Sequence, residues 1–82
     1  MSREEIRAVV LQCLGDVAPE ADLDALQADR PLRDQLDIDS IDFLNFVIEL
    51  DRSLHVAVPE TDYAALATLD RCVDYLTPRV PP

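Results

Sequence analysis

The chain has 82 residues, of which 49% are apolar and 29% are charged. Its 17 acidic side chains outnumber its 7 basic ones, all of them arginine, and the formal net charge is −10. This length predicts a single domain over residues 1–82, too small to build both a core and a deep catalytic cleft, which argues against a self-sufficient enzyme. The negative charge argues against binding to nucleic acid or anionic membranes and favours docking to basic partner proteins.

The first residues and the two cysteines predict a cytoplasmic protein. Residues 1–5 lead into an amphipathic segment rather than the continuous apolar stretch of a signal peptide, and no run of residues approaches the length of a membrane span. Cys13 and Cys72 lack the spacing of a zinc site and fall within apolar helical stripes. We therefore expect both thiols to be reduced and packed in the core, with no metal bound.

Apolar residues recur at helical spacing near the N-terminus and predict a first helix over residues 3–16. Ser2 and Glu5 have the spacing of a capping box at its start. Residues 17–38 show no sustained period and contain two prolines, which predicts a long loop. We expect this loop to be held against the helices by Leu23, Leu26, Leu32 and Leu36.

The second helix is predicted from Asp39 or Ser40 to about Leu54, and it carries two apolar rows. The core-facing row is Phe43, Phe46, Val47, Leu50 and Leu54. The second row is Ile41, Leu44 and Ile48, beside a polar row of Asp42, Asn45, Glu49 and Arg52. A helix on the outside of a small bundle needs only one buried stripe, so the second row is either additional core or an exposed patch for a partner.

A short helix is predicted from Pro59 to about Leu66, because proline is favoured at the first helical position. Thr68 has the position of a cap for the last helix, and prolines then leave residues 78–82 as a Pro-rich tail. No strand pair is visible. The pattern predicts an all-α fold, a small four-helix bundle of three main helices and one short helix, with a long loop between helices one and two.

The stretch LDIDSIDF, residues 36–43, places one serine among three aspartates at the start of the second helix. Asp39 is better placed than Ser40 to cap this helix, which leaves the serine hydroxyl free to face solvent. An exposed hydroxyl at a helix start suits the attachment of a phosphodiester by another enzyme, since the helix end favours an anion. The aspartates would then contact cationic groups or a metal ion on that enzyme. A purely structural serine remains the alternative.

Two other roles for Ser40 fit the sequence poorly. A calcium loop beginning at Asp37 would need glycine at the position of Asp42 and a glutamate at that of Ile48. A nucleophilic serine would need a base, and His55 lies about 20 Å away along the same predicted helix. We expect His55 to be a surface residue.

The motif Asp39-Ser40-Ile41-Asp42 resembles the D-S-L-[DE] signature of acyl carrier proteins, with isoleucine in place of leucine. Upstream, RPLRDQLDID, and downstream, FLNFVIELDRSLHVAVPETDYAALATLDRCVDYL, also resemble that family, so the likeness covers about residues 3–77. It implies a four-helix bundle with 4′-phosphopantetheine attached to Ser40 and with Asp39 as part of the motif. A phosphopantetheinyl transferase, with magnesium, would transfer this arm from coenzyme A, and the arm's thiol would hold an acyl or aminoacyl group as a thioester.

The resemblance also implies partners: a loading ligase and downstream acyl-processing enzymes, served by a monomeric carrier that catalyses nothing itself. The implied partner surface lies on the second helix and comprises Ile41, Asp42, Leu44, Asn45, Ile48 and Glu49. Asn45 and Arg52 stand where carriers of fatty acid synthesis tend to have acids, and Asp37 replaces a usual glycine, which favours a specialised carrier. Lipid, polyketide and aminoacyl pathways all stay open. The alternative function is an unmodified acidic helical module that regulates a partner enzyme.

Overall fold

A computed structural model describes residues 1–82, and it contains helices and loops without a β-strand. The α-helices are α1 (Arg3–Val17), α2 (Leu32–Gln35), α3 (Ser40–Leu54) and α4 (Leu69–Leu76). Two 3₁₀ helices span Leu23–Ala25 and Glu60–Leu66. The predicted small all-α bundle is confirmed, with α1, α3 and α4 as its main helices. None of the helices combines the length and the apolarity needed to cross a membrane.

The helix starts coincide with side-chain caps that satisfy free backbone N–H groups. At α1, the Glu5 N–H donates to the Ser2 hydroxyl at 3.2 Å, and the Ser2 N–H donates to the Glu5 carboxylate at 2.9 Å. This hydrogen bond from the Ser2 backbone lowers the pKa of the Glu5 carboxyl. At α4, the Arg71 N–H donates to the Thr68 hydroxyl at 3.1 Å. Both predicted caps are therefore confirmed.

The core is one cluster of 18 buried residues, every one of them apolar. Helix α1 packs against both α3 and α4, and the apolar faces of the three helices contribute to this one cluster. All five residues of the row predicted to face the core on α3 are buried. Cys13 and Cys72 are buried free thiols, as expected, and burial raises the pKa of Cys72 to about 12.

The segment predicted as a long loop over residues 17–38 is partly helical, which corrects the prediction. It contains the 3₁₀ turn Leu23–Ala25 and the four-residue helix α2. A single helical turn is too short to show a hydrophobic period, so the pattern could not reveal either element. The expected anchoring by leucines is confirmed, with two buried and two half-buried against the core. The buried pair is Leu32 and Leu36, and the half-buried pair is Leu23 and Leu26.

Helix α2 is held in place by hydrogen bonds as well as by its leucines. The Leu32 N–H donates to the Ala67 carbonyl at 2.8 Å, which ties α2 to the end of the second 3₁₀ helix. The Gln35 amide accepts from the Gln27 N–H at 2.7 Å and donates to the Gln27 and Arg30 carbonyls at 2.9 and 3.0 Å. This part of the loop is consequently fixed relative to the bundle.

The short helix predicted from Pro59 to about Leu66 begins one residue later and is a 3₁₀ helix. Pro59 is its N-cap, with extended backbone angles of φ −69° and ψ 152°. Leu66 at its far end is fully buried, and the helix packs against α4. The Tyr75 hydroxyl donates to the Asp62 carboxylate at 2.7 Å and joins the two elements. The second 3₁₀ helix also lies near the start of α3, where the Tyr63 ring meets that of Phe43.

Candidate functional site

The start of α3 presents a serine hydroxyl to solvent. Asp39 is the N-cap, with extended backbone, and Ser40 is the first helical residue. The Asp42 N–H donates to the Asp39 carboxylate at 2.8 Å, and the Asp39 N–H donates to the Asp42 carboxylate at 3.1 Å. Because the two aspartates satisfy these backbone donors, the hydroxyl of Ser40 takes no part in the cap, and the residue is exposed. The oxygen is available to another molecule.

Two of the three aspartates in LDIDSIDF thus have a structural use. From the sequence, Asp39 alone is predicted to cap the helix, and Asp42 is predicted to face partner enzymes. The structure assigns Asp42 the reciprocal half of a capping box, which an acid three residues after a cap could have signalled. Asp37, in contrast, is exposed and makes no such bond. Two of the three carboxylates around the serine therefore accept hydrogen bonds from backbone N–H groups.

Ser40 lies in an open groove of about 380 Å³ formed by three elements. The lining residues are Arg33, Ser40, Phe43, Leu44, Glu60 and Tyr63. Helix α2 contributes the arginine, α3 the next three residues, and the second 3₁₀ helix the last two. The arginine, the glutamate and the tyrosine are not among the predicted site residues, since nothing in the linear pattern brings these three segments together.

A second groove, of about 290 Å³, adjoins the first and is largely apolar. Its lining residues are Pro31, Leu32, Arg33, Phe43, Tyr63, Ala64 and Ala67. Three residues line both grooves and form a wall between them. The Phe43 and Tyr63 rings meet edge to face with centroids 5.5 Å apart, and the Arg33 guanidinium lies 5.3 Å from the Phe43 centroid.

The second apolar row of α3 faces solvent. Ile41 is 69% exposed, Leu44 46% and Ile48 41%. The structure therefore decides between the two readings of this row: it is an exposed patch and not additional core. Asn45 is exposed beside it, Asp42 and Glu49 are half-buried at its edge, and the Arg52 guanidinium lies 3.9 Å from the Glu49 carboxylate. We call Ile41, Leu44 and Ile48 the α3 patch.

The structure does not assemble a serine–histidine pair. Ser40 begins α3, and His55 caps its other end, where the histidine is exposed with a left-handed backbone (φ 57°). A 15-residue helix separates them by about 22 Å. No group of three or more His, Cys, Asp or Glu side chains is arranged to hold a metal ion.

Residues 8–76 match the family described as "Phosphopantetheine attachment site". The chain belongs to the acyl carrier protein family. It is 31% identical to an acyl carrier protein of Renibacterium salmoninarum, over 92% of this chain and 91% of that protein. It is 28% identical to one of Acidothermus cellulolyticus, over 93% and 89%, and 33% identical to one of Lactobacillus johnsonii, over 67% and 69%.

Membership of the acyl carrier protein family implies a covalently attached 4′-phosphopantetheine. The residues at the start of α3 fit such a group. The hydroxyl of Ser40 is exposed and outside the capping hydrogen bonds, and it opens onto a groove with room for an arm. The family consists of carrier proteins that serve acyl-handling enzymes.

Proposed function

We propose that this protein carries an acyl or aminoacyl group as a thioester on a 4′-phosphopantetheine arm attached to Ser40, and presents it to partner enzymes. The observation that carries the proposal is the exposed hydroxyl at the first residue of α3, held beside a groove and excluded from the helix cap. We further propose that residues 1–82 form a single domain and that the protein is a monomer in the cytoplasm. There it would serve lipid, polyketide or related biosynthesis.

The chain contributes position and electrostatics to the attachment step. The Ser40 oxygen forms a bond to the pantetheine-bearing phosphorus of coenzyme A, the diphosphate bond breaks, and adenosine 3′,5′-bisphosphate leaves. The serine proton passes to a base on the phosphopantetheinyl transferase. The Asp39–Asp42 capping box fixes the backbone of the first turn of α3, which carries Ser40. Once bound, the arm supplies a terminal thiol for the thioester.

The α3 patch is the proposed docking surface for the transferase, the loading ligase and downstream acyl-processing enzymes. Its three apolar side chains supply contact area next to the attachment serine. Asp42, Asn45 and Glu49 flank it, and the excess of acids over arginines would steer basic enzyme surfaces toward it. We expect these complexes to be weak and transient, because a carrier must release one enzyme to reach the next.

The decisive experiment is intact-mass measurement after coexpression with a phosphopantetheinyl transferase. The wild-type mass should rise by one phosphopantetheinyl group, and Ser40→Ala should abolish the gain. Ser53→Ala is the matched control, because Ser53 is an exposed serine on the same helix. A gain that survives Ser40→Ala would contradict the attachment site. No gain with several transferases, together with retained binding of a partner through the α3 patch, would favour the unmodified regulatory module instead.

A further inference from the structure

Arg33 is the one cation among the residues that line the groove at Ser40. The protein contains two ion pairs, Arg3 with Asp74 and Arg52 with Glu49, and Arg33 belongs to neither. Its guanidinium lies over the Phe43 ring, 5.3 Å from the centroid. A guanidinium has five N–H donors, and none of these on Arg33 is used within a chain of net charge −10.

The backbone that carries Arg33 is held firmly at this position. Its neighbour Leu32 is 1% exposed and bonds through its N–H to the Ala67 carbonyl at 2.8 Å. The Gln35 amide binds three carbonyls of the preceding turn. Stacking on Phe43 further limits where the guanidinium can lie. The contacts of Leu32 and Gln35 therefore hold the backbone on both sides of Arg33, so that its side chain lines the groove.

We propose that Arg33 binds the phosphodiester of the arm on Ser40, an inference that rests on Ser40 being the attachment site. The phosphodiester adds an anion close to the Asp39 and Asp42 carboxylates, with Glu60 across the groove. A guanidinium in the same groove offsets that repulsion and offers two parallel N–H donors to phosphate oxygens. The contact directs the start of the arm toward the wall formed by Arg33, Phe43 and Tyr63.

This direction has a consequence for docking. The α3 patch lies on the exposed face of α3, whereas Arg33 lies on α2, across the groove from it. An arm held on the α2 side leaves Ile41 and Ile48 uncovered for a partner enzyme. Leu44, the third residue of the patch, lines the groove itself and therefore lies beside the arm.

The test compares apo and holo protein by NMR, after mass measurement has shown loading. In wild type, the Arg33 Nε–H signal should shift between apo and holo forms, while that of Arg30 stays in place. The ³¹P signal of holo Arg33→Gln should differ from that of wild type and lose its dependence on salt. Holo Arg30→Gln is the matched control, because Arg30 is exposed just before α2 and lines neither groove. Arg33→Lys should restore part of the salt dependence.

Several outcomes would overturn the inference. If loading is complete but the Arg33 Nε–H signal is the same in apo and holo protein, the guanidinium does not bind the phosphodiester. If Arg33→Gln only slows loading and its holo ³¹P signal coincides with wild type, Arg33 contacts the transferase instead. If the protein gains no mass at Ser40, both the proposed function and this inference fail. If it gains mass but the Arg33 signal does not shift, only this inference fails. The wild-type measurement needs no variant and stands even if a substitution impairs folding.

Discussion

Phe46→Ala tests whether the two apolar rows of α3 have the different roles that their exposure indicates. Phe46 is fully buried, with its ring centroid 5.9 Å from that of Phe43, whereas Leu44 on the same helix is 46% exposed. Truncating a buried phenylalanine costs about 3–5 kcal/mol, because the apolar transfer is lost and a cavity remains. The free energy of unfolding of small proteins is about 5–15 kcal/mol, and an 82-residue chain lies toward the lower end.

Leu44→Ala is the matched control for Phe46→Ala. Burying a whole leucine is worth about 1.5–3 kcal/mol, so truncating one that is half in water should cost about 1 kcal/mol or less. Urea unfolding, followed by far-ultraviolet circular dichroism, measures both values, provided that the slope against urea is unchanged. If Phe46→Ala is unfolded without urea, Phe46→Leu gives a smaller loss that is still measurable. Equal losses for positions 44 and 46 would refute the division into a core row and an exposed row.

Three further predictions follow from the cap, the buried thiol and the patch. Asp39→Ala removes the carboxylate that accepts the Asp42 N–H and should lower the free energy of unfolding by about 1 kcal/mol in urea titrations. Above about pH 9, unfolding exposes Cys72 to ionisation while the folded state keeps the thiol neutral until its pKa of about 12. The free energy of unfolding should therefore be unaffected by this thiol below pH 9 and fall by about 2–3 kcal/mol by pH 11, with Cys72→Ala losing correspondingly less. Leu44→Arg should weaken binding of a phosphopantetheinyl transferase, measured by calorimetry or by KM, with little change in melting temperature.

Each of these predictions has a result that would contradict it. For the cap, Asp37→Ala is the control, since Asp37 is exposed and makes no capping hydrogen bond. An equal loss of unfolding free energy in Asp39→Ala and Asp37→Ala would mean that the capping box adds no stability. For the thiol, identical alkaline profiles of wild type and Cys72→Ala would show that other groups cause the decline. For the patch, a large drop in the melting temperature of Leu44→Arg would show that Leu44 is packed in the core.

Much of the fold followed from local patterns. The spacing of apolar residues predicted α1 and α3 to within a residue at each end, because long amphipathic helices repeat their pattern over several turns. Capping residues then set where α1, α3 and α4 begin. Single helical turns were not predicted, because α2 and the turn Leu23–Ala25 are too short to show a repeated spacing of apolar residues. The second 3₁₀ helix was predicted as a helix, yet one residue too early, because Pro59 occupies the cap.

The proposed site shows the same division between local and distant information. The serine and its aspartates are neighbours in sequence, and the D-S-I-D motif points to them directly. Arg33 and Tyr63 also line the Ser40 groove, yet they are separated in the chain by α3 and come together only when that helix packs on its neighbours. The spacing of residues along the chain does not predict this proximity, since neither residue belongs to a motif within its own segment.

The sequence by itself determined the helical class, the caps and a serine placed at a helix start. It left undecided whether the row Ile41, Leu44 and Ile48 lies inside or outside, because amphipathic spacing states which residues share a face and not what covers that face. Packing decided it, since α1 packs against α3 on its core-facing row and leaves the row Ile41, Leu44 and Ile48 in water. The wall formed by Arg33, Phe43 and Tyr63 likewise exists only in the folded bundle, because these residues come from three separate segments.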